Sequence, residues 1–453
     1  ELMTQSAVFL SYAHQEHLSV PPERVVQGDR WRISILGEAL IRLEWSDDNI
    51  FEDAATQMAV CRDFGKEVQF DMSEQDGRLV IDTPSLHLVY DRQPFSKEGL
   101  SIVVKGVPGS QSNTWHYGDA QSGNLGGTAR TLDFADGPVR LDAGVASRDG
   151  WAVIDDSASN IVVDADTVNG IPNPYKAWVM PRSHRETDIY FFGYGHRYIE
   201  AVQDFCRLAG PMPLLPRYAL GNWWSRFYRY TQNSYLELMD RFEEEGVPLT
   251  AAVIDMDWHI VSVPPQYGSG WTGYTWNEEL FPDPAGFMAW LHQHGLRITL
   301  NVHPADGVRP FESMYQQMAQ ELGLDWEGGE YVVFDPTSPR FLEAYFKHLH
   351  HPKEEQGVDF WWIDWQQGQT VKGVDPLWVL NHYHYHDIQA RGPQGITFSR
   401  YAGPGSHRYP VGFSGDSHMT WESLDFQPYF TATASNIGYG WWSHDIGGHI
   451  FGY

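Results

Sequence analysis

Beyond Pro211-Met212-Pro213 and Pro216 the rhythm of the chain changes, and that change limits the fold more than any other feature. Short apolar runs of strand character begin to alternate with longer stretches of helical spacing, the signal of a parallel α/β core. Strands are expected at 219–224, 249–258, 297–303, 360–364, 396–400, 411–414 and 439–443. Helices are expected at 233–245, 284–294, from 312, 341–350 and 376–391, several closed by Gly or opened by Pro. A (β/α)8-type barrel is the natural home for this order, and in such a barrel chemistry sits at the carboxyl ends of the strands.

Before the prolines the pattern is different. Runs such as Trp31-Arg32-Ile33-Ser34-Ile35-Leu36 and Leu86-His87-Leu88-Val89-Tyr90 recur between turn signals, without a long amphipathic helix until 196–210. This reads as an N-terminal β-sandwich over 1–210, followed by a barrel domain over 211–453. Within the first part, Gly123-Asn124-Leu125-Gly126-Gly127-Thr128 is a glycine-rich loop. It reads either as an ordinary hairpin loop or as one that reaches a neighbouring site.

Asp255, His303, Asp364, Arg400, Asp416 and Asp445 all fall at the ends of apolar runs. A charge at the end of a buried strand is unfavourable unless it is paired or used. The stretch Phe360-Trp361-Trp362-Ile363-Asp364 delivers one carboxylate, and Gly412-Phe413-Ser414-Gly415-Asp416 a second. A carboxyl pair suits glycosidic cleavage, in which one group protonates the leaving oxygen and the other meets the oxocarbenium-like centre. One of the two must then hold its proton near neutral pH, through burial or a charged neighbour. Arg400 is the residue able to hold a carboxylate or a sugar hydroxyl by paired hydrogen bonds.

Composition narrows the partners. A net charge of -28 argues against nucleic acid and anionic membrane surfaces, and no run reaches the length of a spanning helix. Aromatic residues make up 14% of the chain, with 19 Trp, which suits either a large aromatic core or stacking on sugar faces. Two cysteines, Cys61 and Cys206, are too few for a disulfide framework and favour a reducing compartment such as the cytoplasm. Glu1-Leu2-Met3-Thr4-Gln5 shows neither the basic nor the apolar region of a signal peptide. A homo-oligomer is compatible with all of this.

Other chemistries fit less well. His382 and His386 share a helix face at a spacing that can bind zinc, but the Glu of H-E-x-x-H is absent, so a surface or supporting position is expected. His444, Asp445 and His449 offer metal ligands beside Asp364, without a recognised ligand motif. Ser414 lacks the G-x-S-x-G frame, and no Walker or dinucleotide fingerprint occurs. No metal and no cofactor are called for, since two carboxyl groups supply both proton and nucleophile.

Four motifs in order carry a resemblance: Trp361-Trp362-Ile363-Asp364, Phe398-Ser399-Arg400-Tyr401, Phe413-Ser414-Gly415-Asp416-Ser417 and Trp441-Trp442-Ser443-His444-Asp445-Ile446-Gly447-Gly448. From about residue 214 onward the chain resembles glycoside hydrolase family 31, which includes α-glucosidases and α-xylosidases. The resemblance implies a retaining, exo-acting α-glycoside hydrolase, α-glucosidase-like, acting on a small-molecule or oligosaccharide α-glycoside. It implies Asp364 as nucleophile and Asp416 as acid/base. Asp255, Trp362, Arg400 and Asp445 match residues of the family's pocket, and His303, Trp365 and Phe413 are expected to join them. Residues 124–128 occupy the place of the loop that reaches that pocket. Trp365-Gln366-Gln367 stands where many α-glucosidases have Met-Asn-Glu, and Phe413 where many have Trp, so the pocket wall is altered. The chain stops at Tyr453, after the seventh strand-like run, and the family's last barrel strand is expected to have no counterpart. α-Xylosidase, α-galactosidase, α-N-acetylgalactosaminidase and α-transglycosylase activities remain alternatives within the family. A non-catalytic carbohydrate-binding role is the alternative outside it.

Overall fold

A computed structural model describes residues 17–107, 111–173 and 175–451. The readings made on residues 1–5 and on Tyr453 fall outside that range.

The N-terminal region is built from antiparallel sheets. Trp31–Gly37 pairs with Leu40–Trp45, which pairs with Thr187–Phe192, and Val25–Gln27 and Ala152–Asp155 close the two edges. A second five-stranded sheet runs as consecutive antiparallel neighbours from Asp71–Gln75 to Thr114–His116. Leu86–Tyr90 and Leu100–Val104 bury every second residue, the period of a strand with one apolar face. Ile33, Leu43, Ile81, Leu88, Ile102 and Phe191 from the two sheets share one buried cluster. Helix Tyr198–Ala209 follows and ends at Gly210, whose φ of 88° suits glycine.

A three-stranded sheet of Ala177–Met180, Ile161–Asp164 and Ala55–Thr56 carries the N-terminal region onto the barrel. Tyr175, Ala177, Trp178 and Val179 belong to the barrel's own core cluster, and Trp178 lies 5.5 Å from Tyr383 between ring centres. The two regions are therefore joined by apolar packing and not by a linker alone.

Seven parallel strands of the second region follow one another around the barrel: β1 (Trp223–Trp224), β2 (Ala251–Ile254), β3 (Arg297–Val302), β4 (Phe360–Ile363), β5 (Thr397–Phe398), β6 (Gly412–Phe413) and β7 (Trp442–Ser443), while two short strands, His418–Met419 and Ile450–Phe451, pair only with each other. The first five form one sheet, a parallel bridge from Ser399 to Gly412 leads to β6, and β6 pairs with β7. Among the described residues no strand joins β7 to β1. Strands β2 and β4 are buried at every position, which is why they read as unbroken apolar runs.

The helices between them begin where side chains satisfy free backbone amides. Thr231 and Ser234 form a capping box before Gln232–Glu244, Asp283 caps Pro284–Gln293, and Asp375 caps Pro376–Arg391. Several expectations need correction. The stretch 217–220 is a 3-10 turn, so β1 is only two residues long. Strand β2 ends before Asp255, because that side chain accepts from the Met256 amide and starts a 3-10 turn. Helix 341–350 widens into a π-helical turn over Tyr345–His350. Helix Trp421–Ala434 was not anticipated, since Pro428 lies inside it.

Candidate active site

Six polar residues leave the barrel at its carboxyl end. Asp255 follows β2, His303 follows β3, and Asp364 follows β4 with its amide bonded to the Val302 carbonyl at 3.0 Å. Arg400, Asp416 and Asp445 follow β5, β6 and β7. A cleft of about 810 Å³ opens over these ends, lined among others by Asp255, His303, Trp362, Asp364, Asp416 and Asp445. The barrel collects residues that lie nearly two hundred positions apart because parallel strands present all their ends on one face.

Asp364 is almost sealed, at 7% side-chain exposure. Arg400 Nε and Nη2 each lie 2.9 Å from its Oδ1, and His303 Nε2 lies 3.4 Å from its Oδ2. Burial pushes this carboxyl up, but the Arg400 charge and His303 outweigh it and hold the group well below the usual carboxylate range. Asp416 stands in the opposite situation. Its burial raises it, and the charges of Asp364 and Asp133 raise it further, against the pull of His449 and Arg400. Asp255 and Asp445 are both raised to about 7, chiefly by burial and then by neighbouring carboxylates. One carboxyl is thus shifted down among three that are shifted up. Among the described residues, single ligand atoms of Asp416, Asp445 and His449 also lie within 4.8 Å of one another in this cleft.

The part of the N-terminal region that reaches the site is not the glycine loop. Gly126 sits against the barrel's outer layer, where its carbonyl accepts from Asn436 Nδ2 at 2.9 Å. The contact comes from 131–134. Leu132 N donates to Ser414 O at 2.7 Å and Phe134 N to Asp416 O at 2.8 Å. Arg400 Nη1 donates to Thr131 Oγ1 at 2.6 Å and to Asp133 Oδ1 at 3.0 Å. Sequence reasoning passed over Thr131 and Asp133, and an acidic residue just beyond a glycine-rich loop was the signal available.

The two remaining aromatic candidates sit elsewhere. Trp365 is 3% exposed and packs on Phe334 at 5.1 Å, in the core outside the strands and away from the cleft lining. Phe413 lies under the Arg400 guanidinium at 5.0 Å and edge-on to Trp362 at 5.0 Å, so it supports the site from inside the barrel. Cleft-lining residues that were missed include Trp271, from the aromatic insertion after β2, and Gln366. Trp271 is half exposed and 5.3 Å from the His303 ring. His382 and His386 are buried, not on a helix surface. His382 Nδ1 meets Tyr409 OH at 2.7 Å and its Nε2 meets the Ala177 carbonyl at 3.0 Å.

A parallel α/β barrel with a carboxylate cleft at its strand ends is an architecture that many barrel enzymes share, the barrel-fold glycoside hydrolases among them. Within that class the chain belongs to glycoside hydrolase family 31: residues 212–452 match the model for the "Glycosyl hydrolases family 31 TIM-barrel domain". An α-xylosidase of Saccharolobus solfataricus is 24% identical over 307 residues, 62% of this chain and 39% of that protein. Alpha-glucosidase 2 of Bacillus thermoamyloliquefaciens is 22% identical over 286 residues, 55% of this chain and 35% of that one. The matches thus span between about a third and a half of the length of these and similar curated relatives. Among solved structures, a family 31 dextranase of Flavobacterium johnsoniae in complex with isomaltotriose aligns with a TM-score of 0.65 at 15% identity. That alignment covers 94% of this chain and 60% of the dextranase chain. A family 31 α-xylosidase from a soil metagenome, complexed with xylose, aligns with a TM-score of 0.62 at 16% identity, covering 94% of this chain and 71% of that one. At these identities the structural likeness speaks for the fold.

No helix among the described residues is long and apolar enough to cross a membrane, and Cys61 and Cys206 are free thiols.

Proposed function

We propose that this chain carries the catalytic centre of a retaining, exo-acting α-glycosidase that releases a glucose- or xylose-configured sugar. The observation that carries the reading is the split between two carboxyls in one cleft. Asp364 is held ionised by Arg400 and His303, while Asp416 is pushed toward its protonated form. Environments that drive two carboxyls apart assign the acid and the nucleophile.

In the first step Asp364 attacks the anomeric carbon, and the glycosidic bond breaks as Asp416 gives its proton to the departing oxygen. In the second, Asp416 takes a proton from water, whose oxygen displaces Asp364 from the anomeric carbon and regenerates both groups. Asp255 and Asp445, raised to about 7, can donate as well as accept and are suited to sugar hydroxyls. Trp362 forms part of the cleft wall. The curated α-xylosidase and α-glucosidase relatives support both sugars about equally. We take residue 210/211 as the domain boundary, supported by helix Tyr198–Ala209 ending at Gly210 and the prolines that follow.

The test is turnover of aryl α-glycosides of glucose, xylose, galactose and N-acetylgalactosamine, beside Asp364→Ala and Asp416→Ala. Hydrolysis of the glucoside or xyloside, lost in both variants, is expected. No hydrolysis of any of them by folded protein would overturn the reading. NMR of the first-formed anomer checks retention, and an inverted product would remove Asp364 from the nucleophile role.

A further inference from the structure

The barrel strands do not by themselves fix the two carboxylates of the cleft. Asp133 comes from the N-terminal region, 267 residues before Arg400 and 283 before Asp416. Its Oδ1 accepts from Arg400 Nη1 at 3.0 Å and, at the same time, from the Asp416 backbone amide at 2.8 Å. One oxygen therefore ties the arginine that grips Asp364 to the backbone that carries Asp416. Thr131 Oγ1 takes the same Nη1 at 2.6 Å, so that nitrogen is fully occupied by the N-terminal segment while Nε and Nη2 stay on Asp364. The segment is seated independently of these bonds. Leu132 is buried in a cluster with Phe426 and Phe430, and its amide meets the Ser414 carbonyl. Nor is there slack at the junction. Gly415 has a φ of 105°, and a Cβ there would collide with both Arg400 Nη1 and Asp133 Oδ1.

We propose that Asp133, assisted by Thr131, is a positioning residue for the glycosidase reaction: it locks Arg400 against Asp364 and fixes Asp416 at the facing wall. This rests on the reading of Asp364 and Asp416 given above. Asp133 is not among the lining residues of the cleft, and besides these groups its Oδ2 accepts only a long 3.5 Å bond from Gln366 Nε2. It also adds negative charge beside Asp416. The other titratable or permanently charged groups that face Asp416 are Asp364 after β4, Arg400 after β5 and His449 after β7, with Asp445 of the same loop near it. Asp133 is thus the charge that the N-terminal region contributes to this set.

The experiment compares wild type, Asp133→Asn, Thr131→Val and Leu132→Ala in the full chain, with the aryl α-glycoside that wild type hydrolyses. Asp133→Asn keeps an oxygen for the Asp416 amide and loses the charge on Arg400. Its kcat is expected to fall about 100-fold, the effect of misplacing a reacting group by about 1 Å, with a smaller change in KM. Its basic limb in kcat/KM should move down by about one pH unit, since a like charge beside the acid has gone. Leu132→Ala should lower thermal stability without moving the limb, which separates positioning from a purely structural role. If Asp133→Asn does not fold, Thr131→Val decides: a kcat several-fold below wild type supports the clamp, and a wild-type kcat overturns it. A folded Asp133→Asn with wild-type kcat and an unmoved limb overturns the inference while leaving the glycosidase reading intact. Absence of turnover by wild type sinks both.

Discussion

Arg400→Met isolates the contact on which the charge of Asp364 depends. Arg400 Nε donates to Asp364 Oδ1 at 2.9 Å, Nη2 lies 2.9 Å from the same oxygen as an ion pair, and the two side chains are only 1% and 7% exposed. The value for a surface pair, at most about 1 kcal/mol, therefore does not apply. Removing one partner of a buried pair leaves the other charge uncompensated, a loss of about 3–5 kcal/mol. His303 Nε2, 3.4 Å away, remains beside the carboxylate and offsets part of this, so the lower end, about 3 kcal/mol at neutral pH, is expected. The sign with pH follows from the direction of the shift. In wild type the folded-state carboxyl lies below its ordinary 3.8, so its contribution is present above that value and is lost as pH falls through the lower folded one. In the variant burial dominates and the folded-state value lies above the ordinary one. Stability is then lost as pH rises from about 4, and the nucleophile ionises later. Urea unfolding at about pH 5 and about pH 7.5 should show the deficit against wild type growing with pH. The acid limb of kcat/KM should move up by at least about two units. A folded variant with an unmoved acid limb would refute the assignment of Arg400 as the group that keeps Asp364 ionised.

Gly415→Ala forces a side chain into a left-handed conformation and onto Arg400 and Asp133, so a loss of about 1–3 kcal/mol in denaturant unfolding is expected, together with most of the activity. Phe430→Ala empties a fully buried site between Leu132 and Trp442, and should lower unfolding free energy by about 3–5 kcal/mol. His382 is lowered to about 3, chiefly by burial, while it bridges Tyr409 and the Ala177 carbonyl. Its stabilisation is fully present above the ordinary 6.5 and fades as pH falls toward the folded value. The stability advantage of wild type over His382→Phe should therefore shrink steadily below about pH 6.5, and a constant difference would refute the buried neutral state.

The comparison of sequence with structure turns on the range over which each signal acts. The barrel strands were legible because a strand buried on both faces must be apolar throughout, as in Ala251–Ile254 and Phe360–Ile363. The helix starts were legible because Asp283, Asp375 and the prolines after them are local caps. Asp364, Asp416 and Asp445 stood out as charges ending such runs. Trp365 was misplaced although the strand's own period of two puts Phe360, Trp362 and Asp364 on one side and Trp361, Ile363 and Trp365 on the other. Helix Trp421–Ala434 was hidden by Pro428, a residue that local rules take as a break and tertiary packing around Phe426 and Phe430 overrides.

By itself, then, the sequence determined the barrel order of the second region and the identity of the carboxylates at its strand ends, since both follow from local apolar runs and where they stop. Only the tertiary structure decided the charge state of those carboxylates and what holds them. Arg400, His303 and Asp133 meet Asp364 and Asp416 across separations of 36 to 283 residues, and no local pattern records such distances. Proximity in a buried, low-dielectric cleft is a property of packing, and packing pushed one carboxyl down and its neighbours up.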